Sequence, residues 1–286
     1  MQIVSQEQAT TARPTSGKER TRFWRDPRFG HMECMAATFV THEFAPHAHD
    51  TFSIGAIEAG AQVAMIRGER ESTGPGALYL INPGEVHDGQ PGEPGGYRYR
   101  MIYPDIGFFS KILEDVTGRA FAGTPSFGRQ LLTDMPLAAA FHRAHSALEQ
   151  RASALEGEES LYSVLVAMFA RHGSSILTPA GGAEPKAVAR ARDYIAAHFT
   201  EEIGLEALAE VAGLSRAHLI RAFRRHYYIT PHAYQTDLRI RFARQLLRQG
   251  KPPLEVALAC GFADQAHLTR HFKARTGLTP AVYRAG

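Results

Sequence analysis

Two short stretches carry side chains whose types and spacing fit the reading of DNA bases. After Ser215, the positions Ala217, Ile220, Arg221 and Arg224 fall at i, i+3, i+4 and i+7, one stripe of a helix. An arginine on such a stripe can hold guanine through two parallel hydrogen bonds, and an apolar residue such as Ile220 can meet a thymine methyl. Arg216 and Arg225 flank the stripe, where contacts to phosphates are expected. A shift of 49 residues reproduces the pattern as Ala266, Thr269, Arg270 and Lys273, with Gln265 and His267 near the helix start. Glutamine can read adenine bidentately. The competing reading makes Arg221 and Arg270 structural, paired with acids such as Glu206 or Asp264. One basic helix alone would favour it; two helices with matched outward arginines favour base reading.

A second constellation lies near the other end. Pro46-His-Ala-His-Asp50 and the run from Gly76 to His87 carry His47, His49 and His87. Three convergent imidazoles can hold a divalent metal or bind a small molecule by hydrogen bonds.

The elements that must position these groups follow from the pattern. From His31 to Tyr103 the chain alternates in short runs cut by Gly and Pro, such as Phe52 to Ile57, Ala77 to Ile81 and Tyr97 to Tyr103. This predicts a β-sandwich or small barrel. Alternation places Phe52, Ile54, Tyr79 and Ile81 on one side, and Arg98 and Arg100 on the face opposite Tyr97, Tyr99 and Met101, outward. From Ile106 to His172 the period is helical. Residues 173–185, rich in Gly, Pro and Ser, read as a linker, and residues 1–25 as a polar arm. The remainder is helical: two helix-turn-helix units at about residues 205–226 and 254–276, joined by a helix from Pro231 through Leu247, with Ser215 and Asp264 as N-caps. The expected fold is α+β, with domains at 26–172 and 186–286.

Charge separates the same two parts. From Lys186 onward there are 16 Lys+Arg against 8 Asp+Glu, a net +8; the first 185 residues hold 16 against 21, a net −5. A basic tail behind an acidic body points to a polyanion partner for the tail alone. No apolar run is long enough for a signal peptide or membrane span. The two cysteines, Cys34 and Cys260, fall in different domains inside apolar patterns, which fits a reducing cytoplasm and no disulfide.

The ordered elements Gly261-Phe262, Gln265, Leu268 to Lys273, Gly277 to Pro280 and Tyr283-Arg284, with the related stretch before them, resemble the AraC/XylS family of bacterial transcription regulators. The resemblance covers about residues 187–284. It implies two helix-turn-helix units in adjacent major grooves, the second near RNA polymerase. Tyr227-Tyr228-Ile229 departs from it, since a glycine more usually precedes the Thr-Pro. The two histidine runs resemble the paired motifs of cupin barrels in the ligand-binding domains of such regulators. Metal cupins place an acid four or five residues after the His-x-His; here Ser53 and Ile54 stand there, and Glu58 follows too late. The expectation is therefore an effector site at His47, His49, Phe52, Tyr79 and His87, with no metal or other cofactor and no catalytic residues. A metal-dependent cupin enzyme carrying a DNA-binding tail is the alternative. The partners implied are double-stranded promoter DNA, a small effector, RNA polymerase and a second copy of the chain through helices at about 134–171, with no membrane.

Overall fold

Strands need alternate residues buried, and from Arg20 to Tyr103 the chain supplies them. The computed structural model describes residues 19–121, 123–150, 153–174, 185–276 and 279–285. Ten strands occur in order: β1 (Arg20–Asp26), β2 (Met32–Phe39), β3 (Phe44–His47), β4 (Ser53–Gly60), β5 (Gln62–Ile66), β6 (Glu69–Thr73), β7 (Ala77–Ile81), β8 (His87–Pro91), β9 (Tyr97–Tyr103) and β10 (Leu131–Thr133). They form a six-stranded sheet, β1-β2-β9-β4-β7-β10, and a four-stranded sheet, β3-β8-β5-β6. Every pair is antiparallel. The cupin-like barrel is thus two separate ladders around one core, which holds Met35, Phe39, Ile66, Tyr79, Tyr97 and Tyr99.

Three expectations need correction. The polar arm was expected to reach residue 25, yet β1 pairs with β2 from Arg20↔Thr38 to Asp26↔Met32. Its Phe23 packs on the core, which holds the strand in register. Residues 1–18 and most of the expected linker lie outside the described residues. Phe52 and Ile54 do not share the side of Tyr79 and Ile81. The register Ser53↔Ile81 and Gly55↔Tyr79 gives that side to Ser53 and Gly55. A one-residue phase difference moves Phe52 to the opposite face. There it stacks at 5.0 Å on Phe109, which itself lies 5.6 Å from Phe169. The sheet is apolar on both faces because helices cover the outer one, and this hid the phase in the sequence.

Ten helices follow: α1 (Ile106–Thr117), α2 (Met135–Glu149), α3 (Ala154–His172), α4 (Pro185–His198), α5 (Leu205–Ala212), α6 (Arg216–Tyr227), α7 (Pro231–Arg248), α8 (Pro253–Ala259), α9 (Gln265–Thr276) and α10 (Pro280–Ala285). None is long and apolar enough to cross a membrane. The chain divides into two compact units: residues 1–146 with 163–178, and residues 147–162 with 179–286. Helix α3 contributes to both, and residues 147–162, expected within the N-terminal domain, pack with the helical unit instead.

In the helical unit the local signals act as the sequence predicts. Ser215 Oγ accepts from His218 N at 3.3 Å and starts α6. Gly213 ends α5 with φ 67°, and Asp264 Oδ1 accepts from His267 N at 2.6 Å. The unusual Tyr228 takes the same left-handed conformation, φ 62°, where a Cβ is costly; at 88% exposure its ring crowds nothing. Arg239 of α7 is only 3% exposed. It donates from Nε to Phe199 O at 2.6 Å and from Nη2 to Glu201 O at 2.8 Å. Its guanidinium lies 5.8 Å from the Phe262 ring in the second unit's turn. Burial lowers its pKa to about 10, so it stays charged. Gly261, φ 76°, sits against Thr200 O and Arg239, where any Cβ would collide.

Two predictions follow from these packing groups. Glu19 accepts from Val40 N, Thr41 N, Thr41 Oγ1 and His42 N through one carboxylate oxygen. Burial raises its pKa, but these bonds outweigh it and hold the group at about 2, against an ordinary 4.5. The stabilisation is complete above pH 4.5 and lost as pH falls toward 2. Glu19→Gln should therefore cost about 1–3 kcal/mol in urea unfolding at pH 7, and the gap to the parent protein should shrink as the acid limb is crossed. Arg239→Met keeps the volume and removes both bonds; a loss of about 1.5–3 kcal/mol is expected in the same measurement, and an unchanged midpoint would rule out the clamp.

Candidate functional site

The core of the strand-rich unit contains a cavity at its histidine end. His47 and His87 are directly paired between β3 and β8, and His49 follows two residues after His47, so the strand order itself gathers the three rings. Their centroids stand 4.8, 4.5 and 5.3 Å apart for the pairs 47–49, 47–87 and 49–87. Tyr79, Gln62, Ser53, Tyr99 and Tyr103 share the lining. Of the residues expected to meet an effector, His47, His49, Tyr79 and His87 come together here; Phe52 does not, having turned to the other face.

The lining mixes these polar groups with Phe44, Ile81 and Met101, and it includes one carboxylate, Asp88. Burial lowers the His87 pKa to about 3, so the ring is neutral. Its Nδ1 donates to Glu85 O at 2.9 Å, which leaves Nε2 as a lone pair. Burial raises the pKa values of Tyr79, Tyr99 and Tyr103, so all three phenols keep their protons. Arg98 and Arg100 point away, as the alternation predicted. Arg98 bonds Glu58 at 2.8 Å, and Arg100 lies 3.2 Å from His145 Nδ1. Two lining atoms, Gln62 Oε1 and Ser53 Oγ, are buried without a hydrogen-bond partner. Such groups cost free energy until something satisfies them, so the cavity is suited to a molecule with polar hydrogens. The three histidines can also each turn one nitrogen to a common point, within 4.8 Å of one another, which fits a three-nitrogen metal set with an open fourth position.

The second site lies on the helical unit. In α6, Leu219 and Phe223 are fully buried and Ala222 nearly so, as the period predicted. Arg224 and Arg225 are exposed, and Ile220 and Arg221 half-buried. Ala217 is 4% exposed, and His267 in α9 is 7% exposed. Both were expected to face outward and do not in this structure. Gln265, Ala266, Arg270 and Lys273 are exposed, and Thr269 is half-buried with Oγ1 donating to Gln265 O at 2.8 Å. The two stripes therefore exist, but part of each is covered.

The cover comes from residues 147–162 of the same unit. The Arg216 guanidinium lies 5.1 Å from the Tyr162 ring, and Tyr162 also stands near Arg221, whose Nη2 is buried without a partner. Arg270 Nη1 donates to Gln150 Oε1 at 2.9 Å rather than to Asp264, which serves as the cap. Two neighbouring carboxylates reach helix N-termini: Glu158 Oε2 accepts from Leu205 N of α5 at 2.6 Å, and Glu159 Oε2 from His232 N of α7 at 2.9 Å. Helix N-termini are where anions bind. The sequence signal for this segment is the cluster Glu156-Gly-Glu-Glu159 inside a helical run.

Neither cysteine offers a nucleophile. Burial pushes the Cys260 thiol up to about 12 and the Cys34 thiol further.

Comparison with known proteins matches both parts of the chain. An AraC-like ligand binding domain matches residues 29–165 and a helix-turn-helix domain matches residues 208–286. The chain is 32% identical over 246 residues to an uncharacterized HTH-type transcriptional regulator, YbfI of Bacillus subtilis, covering 85% of this chain and 87% of that protein. It is also 32% identical over 136 residues to the HTH-type transcriptional activator RhaS of Salmonella schwarzengrund, 47% of this chain and 48% of that one. A solved AraC-type DNA-binding regulator from Chromobacterium violaceum is 31% identical over 35% of this chain and 90% of its own, with a TM-score of 0.33. A ligand-binding domain match, a helix-turn-helix match and a relative matched across most of both chains lead to one conclusion: the chain belongs to the AraC family of DNA-binding transcriptional regulators.

Proposed function

We propose that this regulator is a sequence-specific activator whose DNA reading is restrained by its own residues 147–162 and released by an uncharged, polar small molecule in the histidine-lined cavity. The observation that carries this reading is the cover over both stripes, where Tyr162 meets Arg216 and Gln150 meets Arg270. Glu158 and Glu159 occupy helix N-termini as phosphates do in protein–DNA complexes. Helix α3 supplies this segment and continues into the strand-rich unit, so a change at the cavity has a covalent route to it. An effector works if it binds more tightly when the segment is released. The neutral His87 ring, the protonated phenols, an amide and a hydroxyl favour an uncharged ligand, and the Asp88 carboxylate in the lining and the outward arginines disfavour an anion.

The partners of this reading are promoter DNA, RNA polymerase and a second copy of the chain, in the cytoplasm. Arg216 and Arg225 serve as phosphate contacts. Ile220, Arg221, Arg224, Gln265, Ala266, Thr269, Arg270 and Lys273 meet the groove, and Ala217 and His267 join them once the segment leaves.

The test begins with sequencing of genomic fragments captured by the purified full chain, which should return a two-part site with halves about one helical turn apart. On that site, Arg221→Ala and Arg270→Ala should each weaken binding by about 1–3 kcal/mol. Tyr162→Ala should tighten it, with the salt dependence of a phosphate-binding protein retained. Equal affinity in all four proteins would remove both the readers and the restraint.

A further inference from the structure

The helical unit gathers a second set of metal-ligating side chains, of which only His267 has a part in the proposed DNA reading. His267 and His271 are one turn apart on α9, so their rings project from the same face. Glu156 of α3 and His232 of α7 meet them. Glu156 Oε2 lies 3.4 Å from His267 Nε2, 3.5 Å from His232 Nε2 and 3.7 Å from His271 Nε2. One oxygen therefore faces three ring nitrogens, each beyond the ~2.7–3.2 Å of an N–H···O hydrogen bond. Glu156 Oε2 and His271 Nε2 are buried and have no hydrogen-bond partner. A tetrahedral ion with bonds of about 2.0–2.1 Å holds neighbouring ligand atoms roughly 3.3 Å apart, close to the spacing found here.

We propose that Glu156, His267 and His271, whose ligand atoms lie within 4.8 Å of one another, form a binding site for a divalent transition-metal ion of the zinc class, with His232, 3.5 Å from Glu156 Oε2, moving in as the fourth ligand. Imidazole nitrogens with one carboxylate oxygen select such ions over magnesium or calcium, which take mainly oxygen. The site is assembled from three helices that are distant in sequence. The ion replaces contacts already present: His232 Nε2 lies 3.0 Å from Thr236 Oγ1, and Arg275 Nη1 lies 3.3 Å from His271 Nδ1. Binding requires the exposed Arg275 to leave His271 Nδ1, which then carries the ring proton while Nε2 binds. Bound there, the ion ties residues 147–162 to α9 through Glu156.

The experiment uses the full chain without an affinity tag, stripped by chelator, in a His47→Ala/His87→Ala background that removes the other histidine cluster. Cobalt(II) is titrated and its visible absorption followed, then zinc is added in competition. The expected result is one equivalent of cobalt with the intense bands of a tetrahedral site, bleached by zinc. Glu156→Gln and His271→Asn, each checked for native circular dichroism, should lose the bands, and zinc should raise the melting temperature of the background protein but of neither variant. A background protein that takes up no stoichiometric cobalt would overturn the site. So would folded Glu156→Gln and His271→Asn variants that keep the same absorption.

Discussion

The two DNA-reading units keep their relation through one buried cation. Arg239 sits on the helix that joins them, and its two strong bonds go to carbonyls of the loop before the first unit, Phe199 and Glu201. Gln235, one turn earlier, donates to the same two carbonyls at 3.3 and 3.1 Å. The guanidinium also lies over Phe262 in the turn of the second unit. A buried charge is tolerated only when fully hydrogen-bonded, so each of these partners is fixed by the need to satisfy it. Gly261 follows from the same constraint, because its backbone approaches Thr200 and Arg239 too closely for any side chain. Two helix-turn-helix units in one chain can address successive grooves only if the spacing between them is stiff, and Arg239 supplies that stiffness where hydrophobic contact alone would let the helices slide.

Much of this was legible in the sequence, and the reasons differ by region. The helix boundaries of the basic half were readable because each rests on a local device: Ser215, Thr230 and Asp264 as caps, Gly213 as a stop, Pro231 at a first turn. The convergence of His47, His49 and His87 was also readable, since a His-x-His strand and a later histidine need only pair in register. The phase of β4 was not. Phe52, Ile54 and Ile57 are all fully buried, and a strand covered on both faces carries no polar marker to say which side is which. Only the pairing of Gly55 with Tyr79 fixes it. The end of the polar arm was missed for a related reason: β1 is an edge strand with mostly exposed residues, held by its ladder and Phe23 rather than by a visible apolar period.

The larger omission was the segment at residues 147–162. The family resemblance assigns its helices to dimerisation, and its acids to nothing. The role of these acids is set by groups far away in sequence: the uncapped N-terminus of α5, the amide of His232 at the start of α7, and the arginines of α6 and α9. Gly204, which precedes α5, has no side chain to cap it, so the amide of Leu205 takes its partner from Glu158. A helix start without a cap is a visible signal in retrospect, since the missing acceptor has to come from somewhere.

The two sites differ in kind, and this constrains how one can act on the other. The cavity is lined by three imidazoles, phenols, an amide, a hydroxyl, the Asp88 carboxylate and the apolar Phe44, Ile81 and Met101, with its nearest strand arginines turned outward and engaged by Glu58 and His145. The reading helices are cationic and met by carboxylates. An uncharged ligand in the cavity cannot pull on those carboxylates by its own field, which water and counter-ions screen within about 10 Å at ordinary salt. The proposed restraint is therefore a mechanical one, in which the ligand biases the arrangement of the continuous helix α3. Such a ligand shifts the balance between two arrangements only as far as its affinities for them differ. The orphaned Gln62 Oε1 and Ser53 Oγ are a source of that difference: whichever arrangement lets a ligand reach both atoms is the one it stabilises.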